Sequence, residues 1–395
     1  MSGSILGKKI KELYKVLCQE EWNATVCGIL IALLSIICLA WARPWGAVGA
    51  IRNWGEWLLY GIGIWGSESP VNVLQYSGSV IGLGFLAGAF ISACLGGDFA
   101  IRIPPILELV KALFAGIFMG IGSSMCGGCN IGGFYNSVGN LSASGFCMMI
   151  GLIIGAVIGI RYLYWEMEHI SWGSGGAKTI EFPYALKIIL GIVTLGVLIW
   201  GTKTYANSDD AYVAKLAGLL IIPAGMGYTM QRGRWCMIQG FREPHMTGDT
   251  KMAKSVIVSV VVLAIGVTVL KYTDLVHTMH YVRGFFGWVA IVGGVIFGFG
   301  ALLAGGCGTG VLWRVGEGQI KLLVVLPAFG IANAFVDRWF KENEWELDEV
   351  FGSFVYMPET WLGYGGTLAL IFAVMALWYI IISWNEESEK LIVPM

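Results

Sequence analysis

Apolar residues in this chain fall in long, nearly unbroken blocks separated by short polar segments, not in the single stripes of helices that face water on one side. Ten blocks approach or exceed the roughly 20 residues needed to cross a hydrocarbon core of about 30 Å: 24–42, 77–96, 106–125, 141–164, 184–203, 212–230, 252–271, 285–304, 320–336 and 362–384. The pattern predicts an all-α polytopic membrane protein. An eleventh apolar stretch, 45–66, is interrupted by Arg52 and Glu56 among several tryptophans, which suits a helix lying in the interface better than a span.

Composition agrees. The mean hydropathy is +0.72, and charged residues make up only 13% of the chain where a soluble domain carries about a quarter. The first segment holds Lys8, Lys9, Lys11 and Lys15 without a small-residue cleavage site, so it reads as an amphipathic helix on the cytoplasmic surface and not as a secretory signal. Cytoplasmic loops collect Lys and Arg. The loop 231–254 contains Arg232, Arg234, Arg242, Lys251 and Lys254, whereas 337–361 is rich in Asp and Glu. With ten spans, both termini and the basic loop are expected on the cytoplasmic side of a bacterial or archaeal inner membrane. A net charge of −1 says little about partners.

The glycines reveal a duplication. Gly116, Gly120, Gly122, Gly127, Gly128 and Gly132 recur 178 residues later as Gly294, Gly298, Gly300, Gly305, Gly306 and Gly310, and each set encloses one cysteine, Cys129 or Cys307. Five predicted spans separate the two Gly-Gly-Cys turns. An odd number sets them on opposite sides of the membrane, which is the signature of an inverted repeat with its site near the midplane. The expected organisation is 1–76 (amphipathic helix, first span and interfacial segment), a first half 77–200 and a second half 212–384, with short half-helices after the turns.

Nine cysteines scattered through apolar segments do not make a disulfide framework, and most are small buried hydrophobes. Cys129 and Cys307 stand apart because a glycine pair at membrane depth breaks the helix, which is tolerated where the backbone lines a cavity or is buried in protein. Tight helix packing would account for the glycines but not for a cysteine at the same place in both copies. A neutral thiol is a weak, soft hydrogen-bonding group, suited to a polarizable, sulfur-terminal anion. Half-helix N-termini would offset part of the anion's dehydration. Cys126 completes a Cys-x-x-Cys pair with Cys129, but the second copy has Ala304 there, and the sequence offers no further metal partners nearby. His277-x-x-His280 falls in an outer loop and reads as solvated.

Polar groups flank the turns. Gln231-Arg232-Gly233-Arg234-Trp235-Cys236, followed by Arg242, is either a basic anchor for lipid phosphate or an entrance for an oxyanion, since arginine forks suit such groups. Arg314 and Glu317, three residues apart, read as a brace for the second turn.

At these residues the chain resembles the YeeE/YedE family of sulfur-transport membrane proteins. The matching segments are 298–310 with 314–319, 231–236 with 241–242, and the glycines 120 and 122 running into Gly128-Cys129-Asn130, so the likeness covers roughly 80–335. It is nearest to the longer YedE-like proteins associated with selenium metabolism. The resemblance implies uptake of a small sulfur species, thiosulfate in one branch, through cysteines aligned along a path. Carried over by position, the path residues are Cys129, Cys307 and Cys236 with Gly128, Gly306 and Asn130. Gln231, Arg232, Arg234, Arg242, Arg314 and Glu317 support the entrance. The first half lacks a Gln-Arg-x-Arg-aromatic-Cys segment; around Cys94 it reads Ser92-Ala93-Cys94-Leu95-Gly96-Gly97-Asp98 instead. The resemblance also implies a cytoplasmic TusA-like sulfur carrier as a partner.

No Gly-x-x-x-x-Gly-Lys-Ser/Thr motif is present, so the chain is not read as consuming ATP. No cofactor, metal or nucleic acid is expected. The rival reading is a membrane-embedded sulfur or selenium transferase forming a cysteine persulfide; it needs an activated thiolate, and the sequence sets no His or Lys beside the turns.

Overall fold

The computed structural model describes residues 5–66, 68–170, 176–282, 286–345 and 352–394. Its helices are α1 (Ile5–Tyr14), α2 (Ala24–Trp41), α3 (Val48–Gly61), α4 (Ser77–Gly96), α5 (Ile106–Met125), α6 (Asn136–Gly139), α7 (Ser144–His169) and α8 (Tyr184–Ala206). The second part adds α9 (Ala211–Arg232), α10 (Met237–Met246), α11 (Lys251–Tyr272), α12 (Trp288–Ala304), α13 (Gly308–Gly316), α14 (Ile320–Glu342) and α15 (Gly363–Ser388). Strands β1 (Ala100–Ile103) and β2 (Lys178–Glu181) form a small antiparallel ribbon, with Ala100 opposite Glu181.

Among the described residues, ten helical segments are long and apolar enough to cross a membrane, and each coincides with one of the ten apolar blocks. Their ends follow local chemistry. The Asn23 side chain accepts from the N–H groups of Thr25 and Val26 to start α2, and Asp210 does the same for Tyr212 and Val213 at the start of α9.

Small residues set the packing. A side chain at Gly84 or Gly88 of α4 would run into the Leu220 or Ala224 carbonyl of α9. The same device joins α7 to α12, where Gly151 and Gly155 meet the Ile291 and Val295 carbonyls, and α5 to α14, where Gly116 and Gly120 meet those of Val325 and Phe329. Where burial in lipid gives no hydrophobic drive to association, such close backbone approach supplies the contact. The helices also pair reciprocally: α2 lies on α11 as α4 lies on α9, and α5 on α14 as α7 on α12. That reciprocity is compatible with a two-fold internal repeat.

The segment 45–66 is not among the ten. Its helix α3 is 14 residues long, about 21 Å at 1.5 Å per residue, too short to span. It differs from the expected interfacial helix in being packed within the protein: Ala50, Ile51, Asn53, Gly55 and Leu59 are buried, and Gly55 touches the Gly330 backbone of α14. Arg52 and Glu56, which suggested the interface, are paired: Arg52 lies 2.6 Å from Asp337 and 3.6 Å from Glu56.

Two faces can be distinguished. One carries both chain ends: Cys18 and Trp22 bond to Arg232, while Glu386 accepts from Thr250 and Lys254. The opposite face is formed by 42–66, 68–76, 207–210 and 273–282 with the C-terminal ends of α6 and α14. Of the acidic loop 337–361, residues 346–351 lie outside the described residues.

Candidate functional site

Four short helices begin at the centre of the molecule: α3 at Ala47, the half-helix 130–139 at Cys129, α10 at Cys236 and α13 at Cys307. The two Gly-Gly turns explain how the chain reverses there. Gly127 (φ +65°) and Gly305 (φ +79°) occupy the same place in the two copies and adopt the left-handed conformation that a side chain disfavours.

The turns bring three thiols together. Cys129, Cys236 and Cys307 are each at most 1% exposed. The Cys236 and Cys307 sulfurs lie 3.9 Å apart. Cys307 accepts from the Gly310 N–H at 3.4 Å and lies 3.4 Å from the Thr309 hydroxyl. The Cys129 sulfur faces the N–H groups of Gly132, Ile131 and Ala47, and it packs so closely on the second turn that a side chain at Gly308 would meet it at 3.0 Å. Asn130 is fully buried; its amide is turned to the Cys307 sulfur, but neither amide atom closes a hydrogen bond of ordinary geometry. Buried polar groups are normally satisfied, so this amide is a vacant hydrogen-bonding position between the two turns.

On the side of the chain ends the thiols meet an ion-pair network. Gln231 is fully buried, accepting from Ser92 at 2.6 Å and donating to Asp98 at 3.2 Å. Arg232 pairs with Asp98 and with the Cys18 carbonyl. Arg234 pairs with Glu317, which is 1% exposed, and Arg102 approaches the same carboxylate at 3.9 Å. The expected brace between Arg314 and Glu317 is therefore not formed. Arg314 instead donates to the Gly305 carbonyl and stacks over Trp313 at 4.9 Å, because the short helix α13 turns it back toward the glycine turn. Arg242 also falls outside the network, paired with its neighbour Glu243. Three guanidiniums (Arg102, Arg232, Arg234) thus stand near two carboxylates, Asp98 and Glu317.

On the opposite face a cavity of about 350 Å³ descends to Cys129. Its lining includes Arg43, Arg52 and Lys341 with one carboxylate, Asp337, and Ser123, Ser124, Gly128, Cys129 and Asn333 lie along it. Arg43 bonds to the Ser77 hydroxyl at 2.7 Å and to the Tyr281 hydroxyl, while its buried Nε has no partner. The sequence points to an anion entrance at 231–242 with Arg314 and Glu317, and gives no sign of this vestibule. Arg43 comes just after a predicted span and Lys341 beyond another, so only the fold brings them together. Asp98 was visible beside Gly97, but its partner Arg232 is 134 residues away.

The remaining cysteines stand aside. Cys126 donates to the Ala290 carbonyl at 3.2 Å, so the Cys-x-x-Cys pair points in two directions. Cys94 packs on Gly191 of α8. Among the described residues, no three His, Cys, Asp or Glu side chains gather as a metal site.

A family model described as sulphur transport matches residues 7–158 and 232–393, well over half of the chain. The probable transporter YedE of Escherichia coli K12 is 26% identical over 373 residues, 89% of each chain. The thiosulfate transporter TsuA of the same organism is 37% identical over 116 residues, 29% of this chain and 32% of its own. The TsuA protein of Spirochaeta thermophila is 33% identical over 134 residues, 31% of this chain and 38% of its own.

Proposed function

The chain belongs to the sulphur transport family, and from that premise we propose that it imports a small sulfur-terminal anion, thiosulfate or its selenium analogue, intact along a row of thiols. It is a multi-pass membrane protein and a transporter of sulfur compounds, in keeping with the transporters it resembles. The observation that carries the finer reading is the convergence of Cys129, Cys307 and Cys236 at the N-termini of three short helices, beneath a basic vestibule.

The chemistry follows from that placement. Among the described residues, an anion entering the vestibule meets Arg43, Arg52 and Lys341 with Asp337, and cationic groups lining a cleft raise the local concentration of an anion. Losing its water at membrane depth is costly. Thiol S–H groups, backbone N–H groups at the helix N-termini and the vacant Asn130 amide replace part of that hydration, and none binds tightly enough to hold the ion. The order Cys129, Cys307, Cys236 leads toward Arg234 and Arg314 on the other face, with Gly128 and Gly306 giving the backbone room. Gln231, Arg232, Arg234 and Glu317 close that exit and must part to release the ion. The basic loop 231–254 puts this exit, and both termini, in the cytoplasm by charge asymmetry, where an acidic TusA-like carrier would have access. A persulfide mechanism would need an activated thiolate; the helix N-termini favour one, but among the described contacts of the three thiols no His or Lys stands as a base.

The test is uptake of labelled thiosulfate into proteoliposomes containing the purified protein, with selenium and hydrosulfide species as competitors. Wild type is expected to accumulate label, and Cys129→Ala and Cys307→Ala each to lose at least nine-tenths of the rate. Full uptake by both variants would defeat the thiol path.

A further inference from the structure

Ala47 starts α3 as Cys236 starts α10, and the resemblance is local as well. Trp45 donates its indole N–H to Ser35 at 2.7 Å, as Trp235 donates to Ser255 at 2.8 Å, and each tryptophan is buried just ahead of the residue that opens its short helix. Three of the four helix starts at the centre therefore carry a thiol, and the fourth carries a methyl group.

That methyl stands at a junction. Ala47 is 2% exposed and lines the inner end of the vestibule beside Cys129. Its N–H faces the Cys129 sulfur, and its methyl would lie 3.7 Å from a side chain at Gly308, the residue after Cys307. Ala47 also borders a second, tight gap beside Phe85 and Thr309 that is too small for a water molecule. The vestibule lining includes Cys129 but neither Cys307 nor Gly308. An ion leaving Cys129 for Cys307 must therefore pass between the first turn, the second turn and Ala47.

We propose that Ala47 sets the width of the neck between the vestibule and the inner thiols, and with it the largest anion that passes. This rests on the transporter reading for its meaning, but its geometry can be tested apart from transport. A small side chain here leaves room beside Cys129 and the Gly308 backbone, where the surrounding Phe85, Thr309 and Leu312 are already close.

The experiment compares wild type with Ala47→Gly, Ala47→Ser and Ala47→Leu in proteoliposomes. An impermeant anionic methanethiosulfonate is applied from the vestibule side, and the labelling rates of Cys129 and Cys307 are read by peptide mass spectrometry. Uptake of hydrosulfide and thiosulfate is measured in parallel. Ala47→Leu is expected to leave Cys129 labelling within about twofold of wild type, which also reports an intact fold, and to lower the Cys307:Cys129 ratio at least tenfold. It should cut thiosulfate uptake by a similar factor while sparing hydrosulfide. Ala47→Gly should raise the ratio, and Ala47→Ser, close in size, should keep it. An unchanged ratio in both Ala47→Leu and Ala47→Gly overturns the neck, even if wild type transports normally. A ratio that changes in the Ala47 variants while wild type takes up no anion upholds the neck and overturns the transporter reading instead.

Discussion

At the scale of single residues, the thiol pair Cys129 and Cys307 is legible in the sequence because the repeat marks both with the same glycines. Their company is not. Arg43, Arg52 and Lys341 look like ordinary residues at span ends, and Asp98 like a loop acid, until the fold closes the distances between them. Ala47 had a faint signal: it follows Trp45-Gly46 as Cys236 follows Trp235, an offset of one residue that glycine spacing alone does not reveal. Two outcomes belong here. Glu317→Gln removes the carboxylate that Arg234 and Gln231 share. Breaking a buried pair costs about 3–5 kcal/mol, but Arg234 is 38% exposed and can rehydrate, so a loss of about 1–2 kcal/mol is expected. Thermal unfolding in detergent should show a midpoint lower by a few degrees; no change would mean the pair does not brace the exit. His280 sits in the loop whose Tyr281 and Val282 line the vestibule. Burial holds its imidazole below the ordinary value, and the positive charges of Lys271, Arg43 and His277 add to this. A depressed histidine favours the fold above its unfolded pKa of about 6.5 and loses that contribution as pH falls toward its folded value. Thermal stability should thus decline below about pH 6.5, and His280→Gln should flatten that part of the curve; an identical curve would assign the decline to other groups.

At the scale of elements, every apolar block holds a helix whose ends fall within about six residues of it, because roughly 20 apolar residues in lipid have no alternative to a helix. The segment 45–66 was harder to read. Its charged residues resemble an interfacial anchor in sequence, whereas in the fold they pair within the protein, and Gly55 and Gly330 let α3 enter the bundle as a half-length helix. Glycine also fixes the main seams. Gly88→Val would drive a branched side chain into the Ala224 carbonyl of α9, where backbone on both sides leaves nothing to yield. Overpacking of this kind costs about 1–3 kcal/mol. The variant is expected to show a clearly lowered unfolding midpoint and reduced monodisperse yield on size exclusion, while Gly196→Ala on α8, which meets nothing within 4 Å, should match wild type. Equal behaviour of the two would contradict the packing account.

At the scale of the whole molecule, the central claim is that the centre of the bundle passes an anion without breaking it. A vestibule lined by Arg43, Arg52 and Lys341 opens on one face, a network of guanidiniums and carboxylates closes the other, and buried thiols lie between. Thiosulfate offers a direct test because its two sulfurs are chemically distinct. Proteoliposomes supplied with thiosulfate labelled on the terminal sulfur, or in a parallel sample on the central sulfur, report which atoms cross. Intact transport predicts equal uptake of the two labels at every time point, with both rates falling together in Cys307→Ala. Entry of the terminal label alone, with sulfite left outside and a persulfide trapped on the protein, would contradict the account and make the chain a sulfur transferase.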